Sequence, residues 1–159
     1  MKELQGSPQA AGYRFAIVVS RFNPEITDGL LAGARDALAK AGVRDDDITL
    51  VRVPGAFELP VAAQRLAESG RIDAVICLGC LIKGDTMHFE YIADAATRGI
   101  SQVGLETGVP VAFGVLTTLT DEQAEVRATP GAGNKGREAA AAAVEMATLL
   151  RAIDGGPAE

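Results

Sequence analysis

Residues 73–82, DAVICLGCLI, run without a charge after Asp73. A fully apolar stretch of this length, too short to cross a bilayer and rich in β-branched side chains, reads as a strand covered on both faces, and so as a central strand of a parallel sheet. Three further short runs share its character: RFAIVVS (14–20), ITLVRVP (48–54) and PVAFGVLTT (110–118). Helical segments lie between them. Asn23, Pro24 and Gly42 mark the cap, first residue and stop of one. AFELPVAAQRLAESG (56–70) is mostly helical and closes at Gly70, and another helix runs from about His88 to Glu106. Thr120 and Gln123 form a capping-box pattern before DEQAEVRA (121–128), and Asn134 caps a last helix through Ile153. Strands alternating with helices predict right-handed crossovers and a parallel sheet with helices on both faces.

The chain has 159 residues, enough to bury a core without disulfides or metals. Apolar residues make up 48% but aromatics only 4%, with no Trp, so aliphatic side chains must fill the core and each Phe invites a question. A net charge of −6 makes nucleic acid and anionic membranes poor partners; an anionic substrate would need a local basic pocket. The opening MKELQGSPQAAGYRF has no uninterrupted apolar stretch and reads as no signal peptide. Two cysteines are too few for a disulfide scaffold. The expectation is a cytoplasmic protein that does not span a membrane.

Ligands of open parallel sheets bind beyond the carboxyl ends of the strands. That points to four connections: SRFN (20–23), VPGAFE (53–58), GCLIKGDTMH (79–88) and LTTLTD (116–121). The only histidine, His88, lies in the third. It is either a solvent-facing residue of a first helical turn or a general acid/base, since imidazole titrates near neutral pH. KGDT (83–86) leads into that helix and is either a tight turn capped by Asp85 or a phosphate cradle using Thr86, with the Asp85 side chain turned away. Arg127 and Lys135, flanking the glycine-rich PGAGNKG, are solvated charges or a phosphate clamp. Phe22 either packs or stacks on a planar heterocycle. Glu58 either answers a helix dipole or accepts protons from the hydroxyls of a polyol. Cys77 and Cys80, three apart in a strand, point to opposite faces, and one C-x-x-C cannot complete a structural zinc site.

RFN (21–23), VPGAFELP (53–60), LGCLIKGDTMHFEYI (78–92), FGVLTT (113–118), EQAEVRA (122–128) and GNKG (133–136), in this order and spacing, resemble the lumazine synthases of riboflavin biosynthesis. The likeness runs from IVVSRFN to EMATLLR. It implies a single-domain three-layer α/β/α fold over 1–159, with a four-stranded parallel sheet in flavodoxin-like order, an N-terminal arm (1–12) and a frayed tail (154–159). It implies a transferase that condenses 5-amino-6-(D-ribitylamino)uracil with 3,4-dihydroxy-2-butanone 4-phosphate, releasing water and phosphate, the penultimate step of that pathway, with no cofactor and no metal. Phe22 would then stack on the pyrimidine. Ala56, Phe57 and Glu58 would hold the ribitylaminouracil, and Cys80, Leu81 and Ile82 would line its ring. Asp85 and Thr86, with Arg127, would hold the butanone phosphate, and His88 would shuttle protons. Phe113, Arg127 and Lys135 would come from the neighbouring subunit.

Departures from the family pattern are few. Asp85 stands where a small residue is usual, so its contact would use the backbone N–H; Lys83 stands where arginine is common and Cys80 where threonine is common. The family forms homopentamers, some of which assemble as twelve pentamers into a shell of sixty subunits, and riboflavin synthase is a candidate partner. The uninterrupted GAGNKG resembles shell-forming members. Pro8 opposes this, because in shell-formers the N-terminal segment pairs with a neighbour's sheet and proline lacks the donor; the expectation leans to the shell. A lumazine- or flavin-binding homologue without chemistry and a purely structural cage are the rival classes. The joint presence of His88, Arg127 and Lys135 argues against the first, and assembly without activity would support the second.

Overall fold

The structure, a computed structural model, describes residues 1–156. Strands β1 (Phe15–Ser20), β2 (Ile48–Val53), β3 (Ala74–Ile82) and β4 (Val111–Thr118) form one parallel sheet in the order β2-β1-β3-β4. Helices α1 (Pro24–Lys40), α2 (Leu59–Glu68), α3 (His88–Thr107), α4 (Asp121–Ala128) and α5 (Lys135–Ile153) complete the expected alternation. Two single 3₁₀ turns, Asp45–Asp47 and Ala56–Glu58, add to it. In register, Phe15 stands between Ile48 and Ala74, and Cys77 faces Phe113.

β1 is buried along its whole length and β3 along all but its last two residues, whereas β2 is largely exposed. The central strands therefore sit between two apolar layers. On one face Phe15, Ile17, Ile76 and Leu78 pack with Leu30 and Leu38 of α1 and Ala140 and Ala143 of α5. On the other Val18, Val75 and Cys77 pack with Leu59 and Ala63 of α2 and Ala96 and Ile100 of α3. Each large aliphatic side chain so covered contributes roughly 1.5–3 kcal/mol. Cys77 and Cys80 fall in opposite layers, as period-two alternation requires.

The α1–α5 contact is close because small residues meet there. A Cβ added to Gly136 would strike the Leu30 carbonyl, and one added to Gly33 would strike the Asn134 carboxamide. Asn134 is buried; its Oδ1 accepts from Arg137 N–H (3.0 Å), and its Nδ2 faces the carbonyls of Gly29, Ala128 and Thr129, each at 3.1 Å. One side chain thus caps α5 and ties it to α1 and to the end of α4. Thr120 Oγ1 accepts from Gln123 N–H (3.2 Å) as expected, while Gln123 Oε1 reaches one residue past the cap to Leu119 N–H (2.9 Å).

Three local readings change. Asn23 occupies the cap position of α1, but its backbone is left-handed (φ 58°) and its side chain makes no cap; Nδ2 donates to Cys80 O (3.2 Å). Asp154–Gly156 are not frayed: Gly155 turns left-handed (φ 80°), its N–H donates to Ala152 O, and Gly156 N–H donates to Arg151 O, which is a Schellman closure. The rest of that tail, 157–159, lies outside the described residues. Pro8 lies in a stretch docked on its own subunit, between Ser7, whose N–H donates to Thr148 Oγ1 (2.7 Å), and Ala10, whose N–H donates to Ala41 O (2.8 Å). Its missing donor therefore does not bear on residues 1–5, which are exposed.

Gly136→Ala should lower the free energy of unfolding by about 1–3 kcal/mol, although helix propensity alone favours Ala by about 1 kcal/mol. Denaturant titration of the pair decides: a stabilised variant would show that α5 is free to move off α1. Burial pushes the Cys77 thiol up to about 12, and burial with the nearby Asp121 carboxylate pushes Cys80 up to about 11. At pH 8 the Cys80 thiolate fraction is then on the order of 10⁻³, so iodoacetamide should modify the native chain at least ~100-fold more slowly than the chain in guanidinium. Because both folded values lie above the ordinary thiol value of 9.0, their contribution to stability is complete below pH 9 and is lost as pH rises through 11 and 12. Unfolding midpoints measured across that range should fall less steeply in Cys77→Ala than in the parent.

Candidate active site

The carboxyl ends of the strands converge on a cavity of about 700 Å³. Its lining comes from every connection that the parallel-sheet rule singled out, and each reaches it for a local reason.

After β1, Arg21 N–H still donates to Val53 O (2.8 Å), so the chain leaves the sheet only at Phe22. The left-handed turn at Asn23, a conformation that asparagine tolerates better than most residues, then throws the Phe22 ring outward. That ring is 68% exposed at the cavity rim. Asn23 lines the cavity as well, and its bond to Cys80 O fixes this turn to the end of β3. After β2, the 3₁₀ turn Ala56–Glu58 buries Ala56 and leaves Phe57 62% exposed. Glu58 is half-buried, with Oε2 3.4 Å from where a Gly55 Cβ would stand, so its carboxylate folds back over the Pro54–Gly55 turn.

The last residues of β3, Cys80, Leu81 and Ile82, pave the floor, held by pairing to Leu116, Thr117 and Thr118. The chain then enters an exposed stretch, 83–88. Thr86 and His88 line the cavity, and His88 N–H approaches Thr86 Oγ1 at 3.4 Å. His88 is a solvent-facing first residue of α3 and also lines the cavity wall, where a general acid/base would have to stand. Asp85 is not the cap of α3; Met87 is, with no side-chain bond, and Asp85 stays exposed outside the cavity lining.

Nine of the thirteen expected site residues therefore come together: Phe22, Ala56, Phe57, Glu58, Cys80, Leu81, Ile82, Thr86 and His88. Asp85, Phe113, Arg127 and Lys135 do not join them. Phe113 is the third residue of β4, away from its carboxyl end, and is 45% exposed. The Arg127 guanidinium donates to Gln123 O (2.9 Å) on the exposed side of α4, and Lys135 pairs with Glu138 (3.0 Å) at the start of α5. The cavity also takes residues given no ligand role from the sequence. In the sequence Asn23 reads as a helix cap and nothing more. Asp121, the first residue of α4, lies in the LTTLTD connection already singled out, so its position could have been found; Phe89 and Ile92 follow from the phase of α3. Among the described residues no three His, Cys, Asp or Glu side chains cluster as metal ligands, and no helix is long and apolar enough to cross a membrane.

A wall of exposed rings around one imidazole and two carboxylates, Glu58 and Asp121, suits a flat, polyhydroxylated substrate more than a bulky apolar one. Residues 12–151 match the family model described as 6,7-dimethyl-8-ribityllumazine synthase. A curated protein of that name from Salinibacter ruber is 53% identical over 152 residues, 96% of this chain and 97% of the relative. Another from Desulfotalea psychrophila is 53% identical over 150 residues, 94% and 97% of the two. The match takes in all four connections that build the cavity, and on it the chain belongs to the 6,7-dimethyl-8-ribityllumazine synthase family.

Proposed function

We infer that this chain condenses 5-amino-6-(D-ribitylamino)uracil with 3,4-dihydroxy-2-butanone 4-phosphate to 6,7-dimethyl-8-ribityllumazine in the riboflavin pathway, and that the cavity at the carboxyl ends of the strands is one side of its active site. The observation that carries the site reading is the convergence of nine residues from three separated connections on one cavity, with His88 at its wall. Phe22 stacks against the pyrimidine, the turn of Ala56, Phe57 and Glu58 and the end of β3 hold the ribitylaminouracil, and Thr86 takes the phosphate end. The amine attacks the ketone and water leaves; phosphate is eliminated; ring closure expels a second water. Each step moves a proton, and one imidazole beside both substrates serves all of them. Holding the two reactants together supplies much of the remaining acceleration.

The cations that this chemistry needs near the phosphate, Arg127 and Lys135, do not line the cavity of their own chain, and Phe113 stands outside it too. Exposed Leu119 and Val126 lie near them in sequence. This supports a site shared between subunits, in which a neighbour brings Phe113, Arg127 and Lys135 to the open side of the cavity, within a homopentamer. Assembly into a shell is supported by two open surfaces: the exposed residues 1–5 and the exposed edge strand β2. A cytoplasmic location, where two unpaired thiols stay reduced, belongs to the same reading.

Replacing His88 with Ala should slow the condensation by ~10²-fold with little change in substrate binding; a variant as fast as the parent would remove the proton-shuttle role. The shared site has its own test. His88→Ala and Arg127→Ala homo-oligomers should each be nearly inactive. Refolded together in equal amounts they should regain about one quarter of the parent activity, because random neighbours around a closed ring complete that share of the sites. Co-refolded oligomers as inactive as either variant would show that the two residues do not meet across an interface.

A further inference from the structure

The exposed stretch from Lys83 to His88 carries the phosphate end of the proposed site, yet few bonds hold it. Lys83 N–H donates to Thr118 O (2.9 Å) at its start, and His88 N–H approaches Thr86 Oγ1 at its end. One side-chain pair bridges the two ends: Lys83 Nζ lies 2.9 Å from Glu90 Oε1. Glu90 is the third residue of α3, the position from which a glutamate ordinarily turns back to satisfy the N–H of the cap residue. It does not do so here, and Met87 is left without a side-chain cap. The carboxylate turns to Lys83 instead, and the Lys83 ammonium, with the backbone N–H of Glu90 itself, holds it below the usual carboxylate range. Its second oxygen, Oε2, is shielded from solvent and accepts nothing among the described residues. The carboxylate thus forgoes the cap N–H and leaves one oxygen unmatched in order to reach Lys83 across the connection.

We propose that the Lys83–Glu90 pair is a staple across the connection from β3 to α3 that positions Thr86 for the phosphate of the second substrate. Neither residue lines the cavity, whereas Gly84, Thr86 and His88, which the pair brackets, do. His88 belongs to α3, a helix anchored on the sheet further along by Ala96, Ile100 and Val103. Thr86 belongs to no element and has no such support. The staple therefore governs binding of the phosphate substrate and leaves the proton-transfer step largely alone. This rests on the reading that the cavity is the condensation site with Thr86 at its phosphate end.

The test uses Lys83→Met, which keeps the stem and removes the charge, Glu90→Gln, the double variant and Lys83→Arg. The parent is assayed first; a parent that does not condense the two substrates would sink the site reading itself, apart from the staple. With an active parent, each single variant should raise KM for the butanone phosphate about three- to five-fold, the scale of a half-exposed ion pair. KM for the ribitylaminouracil and kcat should stay near parental values. The double variant should be no worse than either single, because both remove one interaction. Lys83→Arg should keep the parental KM. If Lys83 were itself a phosphate ligand, Glu90→Gln would free its ammonium and lower that KM. A lowered KM in Glu90→Gln, equal rises for both substrates, additive losses in the double variant or parental KM in both single variants would each overturn the staple. Melting temperatures of all four variants should stay within a few degrees of the parent, as expected of a surface pair; a large fall confined to the single variants and absent from Lys83→Arg would mark a folding role and overturn it as well.

Discussion

Two-sided burial of β1 and β3 is the constraint from which the rest of the molecule follows. A strand with apolar layers on both faces has no side open to a ligand, so polar function is confined to the strand ends. Helices must cover both faces, which fixes the crossover connections and brings all four carboxyl ends to one edge. Ser20, Val53, Ile82 and Thr118 end their strands there, and the chain turns irregular immediately after each. The cavity is what remains between those departures once the helices have packed.

The distribution of aromatic residues follows the same logic. Of five phenylalanines, only Phe15 is fully buried. Phe22, Phe57 and Phe113 are exposed, and Phe89 is half-buried at the cavity wall. Valine, leucine, isoleucine and alanine fill both layers, and the alanine-rich α5 together with Gly136 lets two helices close to backbone contact. Rings left in solvent cost apolar exposure without return in the isolated chain. In the proposed shared site a planar substrate and a neighbouring subunit would cover them and return that cost, which is why exposure here reads as preparation for binding.

The architecture was legible in the sequence because burial and periodicity are local signals. A nine-residue strand without a charge, a Pro after Asn23 and a Thr two residues ahead of Glu122 each say what they will become before any tertiary contact exists. The set of connections around the cavity followed from general rules of parallel sheets, and the strand order from the family resemblance. What the sequence hid was the use of side chains across elements. Asn23 looks like a cap, and only the closeness of Cys80 O reveals that its amide crosses to β3. Asn134 does cap, yet its larger part lies in three carbonyls from other segments. Asp85 looked like the cap of α3, and the helix begins two residues later than that reading needs. Gly155 and Gly156 resemble a loose end until the carbonyls of Arg151 and Ala152 take up their N–H groups. In each case a short polar side chain or a glycine had two local options, and a partner distant in sequence or a helix end decided between them.

The two sides of the cavity are held in different ways, and the difference matches what each would do. The aromatic side is fixed by backbone: β1 is extended by Arg21 N–H to Val53 O, the turn at Asn23 is tied to β3, and Ala56 is buried under a 3₁₀ turn that leads straight into α2. A planar ring recognised by stacking and backbone edges needs such rigid walls, because contact area falls quickly with small displacements. The phosphate side rides on an exposed connection with one ion pair across it. A phosphate must be gripped during condensation and then released as a free ion, and a connection of low local stability can order around the anion and reopen without disturbing the sheet. In the proposed reaction the rigid side would keep the pyrimidine through every proton transfer, and the loosely tied side would let the leaving group go.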